Sequence, residues 1–264
     1  MTTAPFDRSD RKDDHPNPSD RRDSLVVALL VGLGIVAYSA WGLEVVLPTG
    51  LAPGRTYASE LAAQDQPFGG LFRTTDLVAG VLMCAGGLWA LLRLSPGDRW
   101  GTVGWTAVVL FGVATTVDSR LPLSCTPTVD RLCAQREHAG LVPVTHTAHA
   151  TSSALAVCAV LVAMPALTHA ARRHAPASSL ARLGRPLVAL ELAATAWTIA
   201  AVAALEAGHG NWSLGLAQRL QLALMAAWFA TLALSVLRHR RPAPEPPAPA
   251  PRPPLAPETE RAAR

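Results

Sequence analysis

Charged side chains are scarce in this 264-residue chain: Asp, Glu, Lys and Arg make up 16% of it, against about 25% in a typical soluble domain. The scarcity is uneven. Residues 1–24 hold eleven charges, six Asp and five Lys or Arg, while residues 242–257 hold nine of the 22 prolines. Removing the two ends leaves a middle too apolar for water, which excludes a soluble enzyme. The formal charge of +4 is no sign of nucleic-acid binding, because it has another origin, given below. Also missing are a phosphate-cradling Gly-rich loop, a dinucleotide fingerprint, HExxH and GxSxG, the short patterns that would mark nucleotide, zinc-protease or serine-hydrolase chemistry. No repeat of 20–50 residues is visible.

What is present is a series of long apolar runs. A helix needs roughly 17–25 mostly apolar residues to cross the hydrocarbon layer, and six segments qualify: 25–46, 75–92, 101–117, 147–167, 187–205 and 214–237. They are continuous and rich in Ala and Leu, without the alternation of barrel strands. The first is too long for a signal-peptide core and is read as a retained helix. The expected fold is therefore all-α, a polytopic bundle of six spans occupying 25–238, multi-pass in the cell membrane. The charged 1–24 and Pro-rich 239–264 are expected to be disordered tails. Pro244 and Pro247 form a PxxP spacing, which in so Pro-rich a tail carries little information.

Orientation follows from the arginines, because positive flanks stay on the cytoplasmic side. With the N-terminus inside, 17 Lys and Arg fall inside and six outside, so both termini are expected to be cytoplasmic. The net charge then divides into +6 inside and −2 outside, and the basic excess is an orientation signal.

Four cysteines divide two and two. Cys84 and Cys158 sit within spans as small apolar packers. Cys125 and Cys133 lie in the second outer loop and are expected to form a disulfide there, as an oxidising compartment allows. The first outer loop, 47–73, is long. Thr56 is placed to cap a short helix through Ala63, and Leu51, Tyr57, Leu61, Phe68 and Phe72 favour an ordered cover packed on the bundle. In the fifth span Ala196, Ala200 and Ala204 form a small-residue stripe suited to close helix approach, compatible with a homodimer.

Ionisable residues within spans are costly and usually face a cavity or a partner. Here they gather at the outer level: Glu44, Asp76, Asp118, His146, His149, Glu206, His209 and Arg219, with Glu191 alone toward the inside. Arg219 is expected to pair with Glu44, Asp76 or Asp118. His146, His149 and Ser153 stand at i, i+3 and i+7, on one helical face. With Asp118 the two histidines form a candidate Zn²⁺ site that leaves one position open for water, which would permit metal-assisted hydrolysis. Metal-free ligand binding and simple polar packing are the competing readings of the same residues. Glu44, Asp76, Asp118, Ser153 and Arg219 are the remaining candidates for chemistry.

The stretches WGLEVVLPTGLAPGRTYASELAAQDQPFGGLFRTTDLVAG (41–80), VDSRLPLSC (117–125) and GLVPVTHTAHATSS (140–153) resemble a bacterial and archaeal membrane family known as domain of unknown function 998. The resemblance covers roughly 25–238 and implies a six-helix membrane fold without an activity. A looser similarity is to transmembrane hydrolases like the alkaline ceramidases, which hold zinc with Ser, Asp and His; their late-helix HxxxH pair is missing here, since no histidine precedes His239 in the sixth span. The leading expectation is binding or sensing of a lipid or small molecule at the outer face, or a structural role. A metal-dependent lipid or envelope hydrolase and a small transporter are the alternatives.

Overall fold

The computed structural model describes residues 18–95 and 97–238, and these form seven α-helices without a strand among the described residues. They are α1 (Pro18–Tyr38), α2 (Gly69–Arg93), α3 (Arg99–Asp118), the short α4 (Arg131–His138), α5 (Val144–His174), α6 (Ser179–Glu206) and α7 (Leu214–Arg238). Six of them are long and apolar enough to cross a membrane, and the protein is a multi-pass membrane protein. The expected tails, including Pro244 and Pro247, lie outside the described residues, except that 18–24 open α1.

The boundaries differ from the hydropathy reading in an instructive way. Hydropathy marks only the part of a helix that meets lipid, whereas backbone hydrogen bonding carries the helix further at both ends. Thus α1 starts at Pro18, whose missing N–H costs nothing in the first turn, and α5 runs 31 residues to His174. The first span is also interrupted. After Tyr38 it tightens into a 3₁₀ segment, Ser39–Val45, which carries Glu44 into the interior. The second long loop, between α3 and α5, contains α4, capped by Asp130 accepting from the Leu132 N–H at 2.8 Å.

The six long helices pack as a closed ring in which α1 meets α2 and α7, α2 meets α3, α3 meets α5, α5 meets α6 and α6 meets α7. Lipid is as apolar as leucine, so close van der Waals fit rather than the hydrophobic effect holds such helices together. Small residues provide the fit between α2 and α3. A Cβ on Gly112 would stand 2.7 Å from the Gly80 carbonyl oxygen and 2.8 Å from Cys84 Cα. The centre of the ring is filled by Val108, Phe111, Met164, Trp228 and Phe229. Phe111 stacks on Phe229 at 5.3 Å, and Tyr38 meets Phe111 edge-on at 5.4 Å. The Trp228 indole N–H donates to Thr168 Oγ1 at 3.2 Å, which satisfies its polar group within that core.

Large aliphatics such as Leu33, Val36, Leu110, Leu155 and Ile199 point outward, as a lipid-facing surface requires. Of the small-residue stripe, Ala196 and Ala200 are exposed while Ala204 is buried. Cys84 and Cys158 are free thiols, and Cys158 is exposed on the ring.

Candidate functional site

At one end of the ring the two long connections fold into a lid, and polar side chains at the helix ends hold it. Asn211 donates to the Arg55 carbonyl at 2.8 Å, and Gln218 accepts from the Ala58 N–H at 2.7 Å. Arg73 donates to the Ala62 carbonyl at 2.7 Å. The short helix expected after Thr56 exists as a 3₁₀ turn, Ala58–Ala62, but Thr56 does not cap it. The Thr56 hydroxyl donates back to the Ala52 carbonyl, and the Glu60 carboxylate instead accepts from the Tyr57 N–H at 3.0 Å.

Glu60 also joins the two loops, accepting from the Thr128 N–H at 2.8 Å and its hydroxyl at 2.5 Å. Burial pushes the Glu60 carboxyl above the usual range, against the pull of the Thr128 and Tyr57 donors. Tyr57 is pushed up to about 12, first by burial and then by the charges of Glu206, Glu137 and Glu60. Asp65 repeats the pattern, accepting from the Thr126 N–H and hydroxyl at 3.1 Å each.

Cys125 and Cys133 are joined by a disulfide that closes the second loop onto α4. With a sequence separation of 8, chain-entropy arguments place its contribution at about 2.5 kcal/mol. Cys125→Ser with Cys133→Ser is therefore expected to speed amide exchange across 119–143 while leaving the six long helices protected; unchanged exchange in that loop would contradict this.

Arg219 lies under the lid and pairs with Glu44, one of the three acids expected for it. Its Nε and Nη2 donate to the two Glu44 carboxylate oxygens at 2.6 and 2.7 Å, while Nη1 donates to the Thr56 and Gly215 carbonyls at 2.8 and 3.1 Å. Both side chains are buried, with Arg219 6% and Glu44 8% exposed. The pair ties α7, the first loop and the 3₁₀ segment that follows α1 at one point. Gly215 makes this possible, since a Cβ there would sit 2.6 Å from the Thr56 carbonyl oxygen.

The two histidines share a face of α5 but turn to different partners. His146 Nδ1 accepts from the Ser124 N–H at 3.1 Å, so in the neutral ring the proton sits on Nε2, 3.5 Å from Glu137 Oε1. His149 is the opposite tautomer. Its Nδ1 lies 3.0 Å from the Leu121 carbonyl and 3.2 Å from Asp118 Oδ1, two acceptors that require a proton there. Among the described residues no three His, Cys, Asp or Glu side chains are grouped to hold a metal ion. His146 serves the disulfide loop, whereas His149 serves Asp118.

Asp118 is heavily supplied with donors. Besides His149 it accepts from the Ser152 hydroxyl, and from the Ser153 hydroxyl at 3.1 and 3.2 Å. Ser153 Oγ lies 3.5 Å from His149 Nε2, yet it donates to Asp118, so its hydrogen is not offered to the imidazole as a nucleophile's would be. Across from Asp118 stands Asp76 of α2, and between them lies a cavity of about 50 Å³ roofed by Ala58–Ala62. Trp41, Phe72, Arg73 and Pro122 complete its wall.

Among the described residues Asp76 makes no hydrogen bond and no ion pair, in contrast to Glu44, Glu60, Asp65 and Asp118. The Trp41 indole N–H, on the same cavity, is buried and without an acceptor. Glu191 lies deeper in the ring. It accepts from Thr195 of its own helix at 3.4 Å, and Thr195 in turn accepts from Gln221 of α7 at 2.9 Å.

Asp76, Asp118, His149 and a loop cover over them were legible in the sequence, whereas Arg73, Ser124 and Ser152 were not identified there. Ser152 follows His149 by three positions and was open to the same helical argument; the others depend on loop paths that no periodicity encodes.

A family model described as "Protein of unknown function (DUF998)" matches residues 31–235. No curated protein and no solved structure matches the chain. The matched region runs from α1 to the last turn of α7 and takes in the lid, the disulfide and the cavity between Asp76 and Asp118, so this six-helix membrane protein belongs to the DUF998 family.

Proposed function

We propose that the protein is a membrane-embedded binding protein whose lidded cavity takes a protonated amine at Asp76. The observation that carries this reading is the contrast between the two aspartates. Asp118 has its oxygens occupied by one imidazole and two hydroxyls, while Asp76 opens on the cavity without a protein partner. A half-buried carboxylate without an ion pair is costly, and a bound cation would remove that cost. The cavity exceeds the roughly 15 Å³ needed for one water and suits an ammonium group rather than a whole metabolite. Trp41 adds an aromatic wall of the kind that attracts cations. On the arginine distribution the lid faces the outside of the cell, where an amine-bearing head group of the outer leaflet would meet it.

Binding is favoured over a transport path by what lies beneath. From Asp118 to Trp105 α3 runs thirteen residues, about 20 Å, along which Val108, Phe111, Met164, Trp228 and Phe229 fill the ring. Zinc hydrolysis would require His146 to leave Ser124 and turn toward His149.

The test is thermal unfolding of the purified protein in detergent, titrated with methylammonium and ethanolamine against a potassium control. A site-bound amine at about 100 times its Kd stabilises by about 2.7 kcal/mol, and Asp76→Asn is expected to abolish that gain. An equal response of wild type and Asp76→Asn, or none in wild type, would end the proposal.

A further inference from the structure

At the opposite end of the ring, where α1 begins and α7 ends, no described loop covers the helix ends. A cavity of about 850 Å³ enters it between the starts of α3 and α6 and the ends of α5 and α7, within the size range of small-molecule sites. Its floor is apolar, formed by Trp105, Leu167, Leu180 and Leu232, all buried. The cavity reaches inward from Arg99 to Trp105, six residues of helix or about 9 Å.

The polar groups at its mouth differ in availability. Most are already used: Asp98 caps α3 by accepting from the Trp100 and Gly101 N–H groups, with His174 3.7 Å away. Ser178 caps α6, and Ser235 accepts from the Leu180 N–H. Three donors are not used. Arg99 and Arg173 both line the cavity, and among the described residues neither has a hydrogen bond or an ion pair. Arg99 lies only over the Trp100 ring, at 5.5 Å. Ser95 is 7% exposed, and its hydroxyl, buried on the cavity wall, has no partner.

We infer that this cavity binds an anionic membrane lipid, with the phosphate of its head group held by Arg99, Arg173 and the Ser95 hydroxyl and the start of an acyl chain on the Trp105–Leu232 floor. Each part of the cavity matches one part of such a molecule. Guanidinium groups bind phosphate oxygens in pairs, a buried hydroxyl without a partner is costly until an acceptor arrives, and an apolar floor 9 Å deep suits a hydrocarbon chain but not a free phosphate ion. Basic pockets between membrane helices are known to take anionic head groups. The site lies at the other end of the ring from Asp76, so its test and that of the amine site fail independently.

The test uses the full chain in a neutral maltoside detergent with dodecyl phosphate as probe, bound stoichiometry being read by native mass spectrometry and affinity by thermal shift. One equivalent is expected per chain. Arg99→Gln with Arg173→Gln is expected to weaken binding at least tenfold and Ser95→Ala several-fold, while Asp76→Asn leaves it unchanged. Dodecyltrimethylammonium, with the same tail and opposite charge, is expected not to compete. In nanodiscs, phosphatidic acid is expected to displace the probe and phosphatidylcholine is not. Binding insensitive to the double arginine variant, inorganic phosphate binding as tightly as dodecyl phosphate, or no retained equivalent at all would each overturn the inference.

Discussion

Replacing Arg219 with methionine is expected to destabilise the protein by about 3–5 kcal/mol, the range measured when one member of a buried ion pair is removed. The size of the effect comes from what is left behind. Glu44 loses both of its donors, and the Thr56 carbonyl loses the only side-chain donor that reaches it from α7. Because the guanidinium joins α7, the first loop and the 3₁₀ segment after α1, the loss is expected to loosen the lid before the ring opens. Thermal unfolding in detergent checks the magnitude, and amide exchange over 47–68 checks the order of events. Combining Arg219→Met with Glu44→Gln is expected to recover part of the stability, since no buried charge then remains. A double variant less stable than Arg219→Met would show that the pair is not the source of the effect. Lysine at 219 is not equivalent, because a single ammonium cannot face both carboxylate oxygens and two carbonyls in the same plane.

Gly112→Ala is expected to cost about 3 kcal/mol, the upper part of the range for overfilling a packed interior. The added methyl would meet backbone on the neighbouring helix, the Gly80 oxygen at 2.7 Å and Cys84 Cα at 2.8 Å. Neither atom can move aside by a rotamer change, so α2 must shift as a whole. In a membrane this matters more than in water, because separated helices find lipid as good a solvent as each other and only close fit favours the ring. The control is Gly32→Ala in α1, where nothing lies within 4 Å of the new Cβ; it is expected to be neutral or slightly stabilising. Equal effects at the two glycines would mean that the α2–α3 seam is not held by close approach. Since Asp76 and Asp118 stand on these two helices, Gly112→Ala is also expected to widen the cavity between them.

The spans could be read directly because the signal is local. A run of apolar residues long enough for the hydrocarbon layer forms a helix there for want of any other way to satisfy its backbone. The loop cysteines were legible for a similar reason, being close in sequence in a connection between spans. The gathering of Glu44, Asp76, Asp118, His149 and Arg219 at one level followed from counting residues along each span. The cap of the first loop was not legible: Thr56 fits the usual pattern, yet the Tyr57 N–H goes to Glu60 because that carboxylate is also fixed by Thr128, 68 residues away.

The sequence by itself determined a six-helix membrane protein with its ionisable side chains collected at one end. Only the tertiary structure decided that Arg219 belongs to Glu44, that His146 and His149 part company, that Asp76 is the acid without a partner among the described residues, and that Arg99, Arg173 and Ser95 line a cavity at the other end. The physical reason is that depth in the membrane is a one-dimensional quantity fixed by position along the chain. Which neighbour a side chain faces depends instead on how each helix is rotated about its axis, and that rotation is set by packing between helices far apart in sequence.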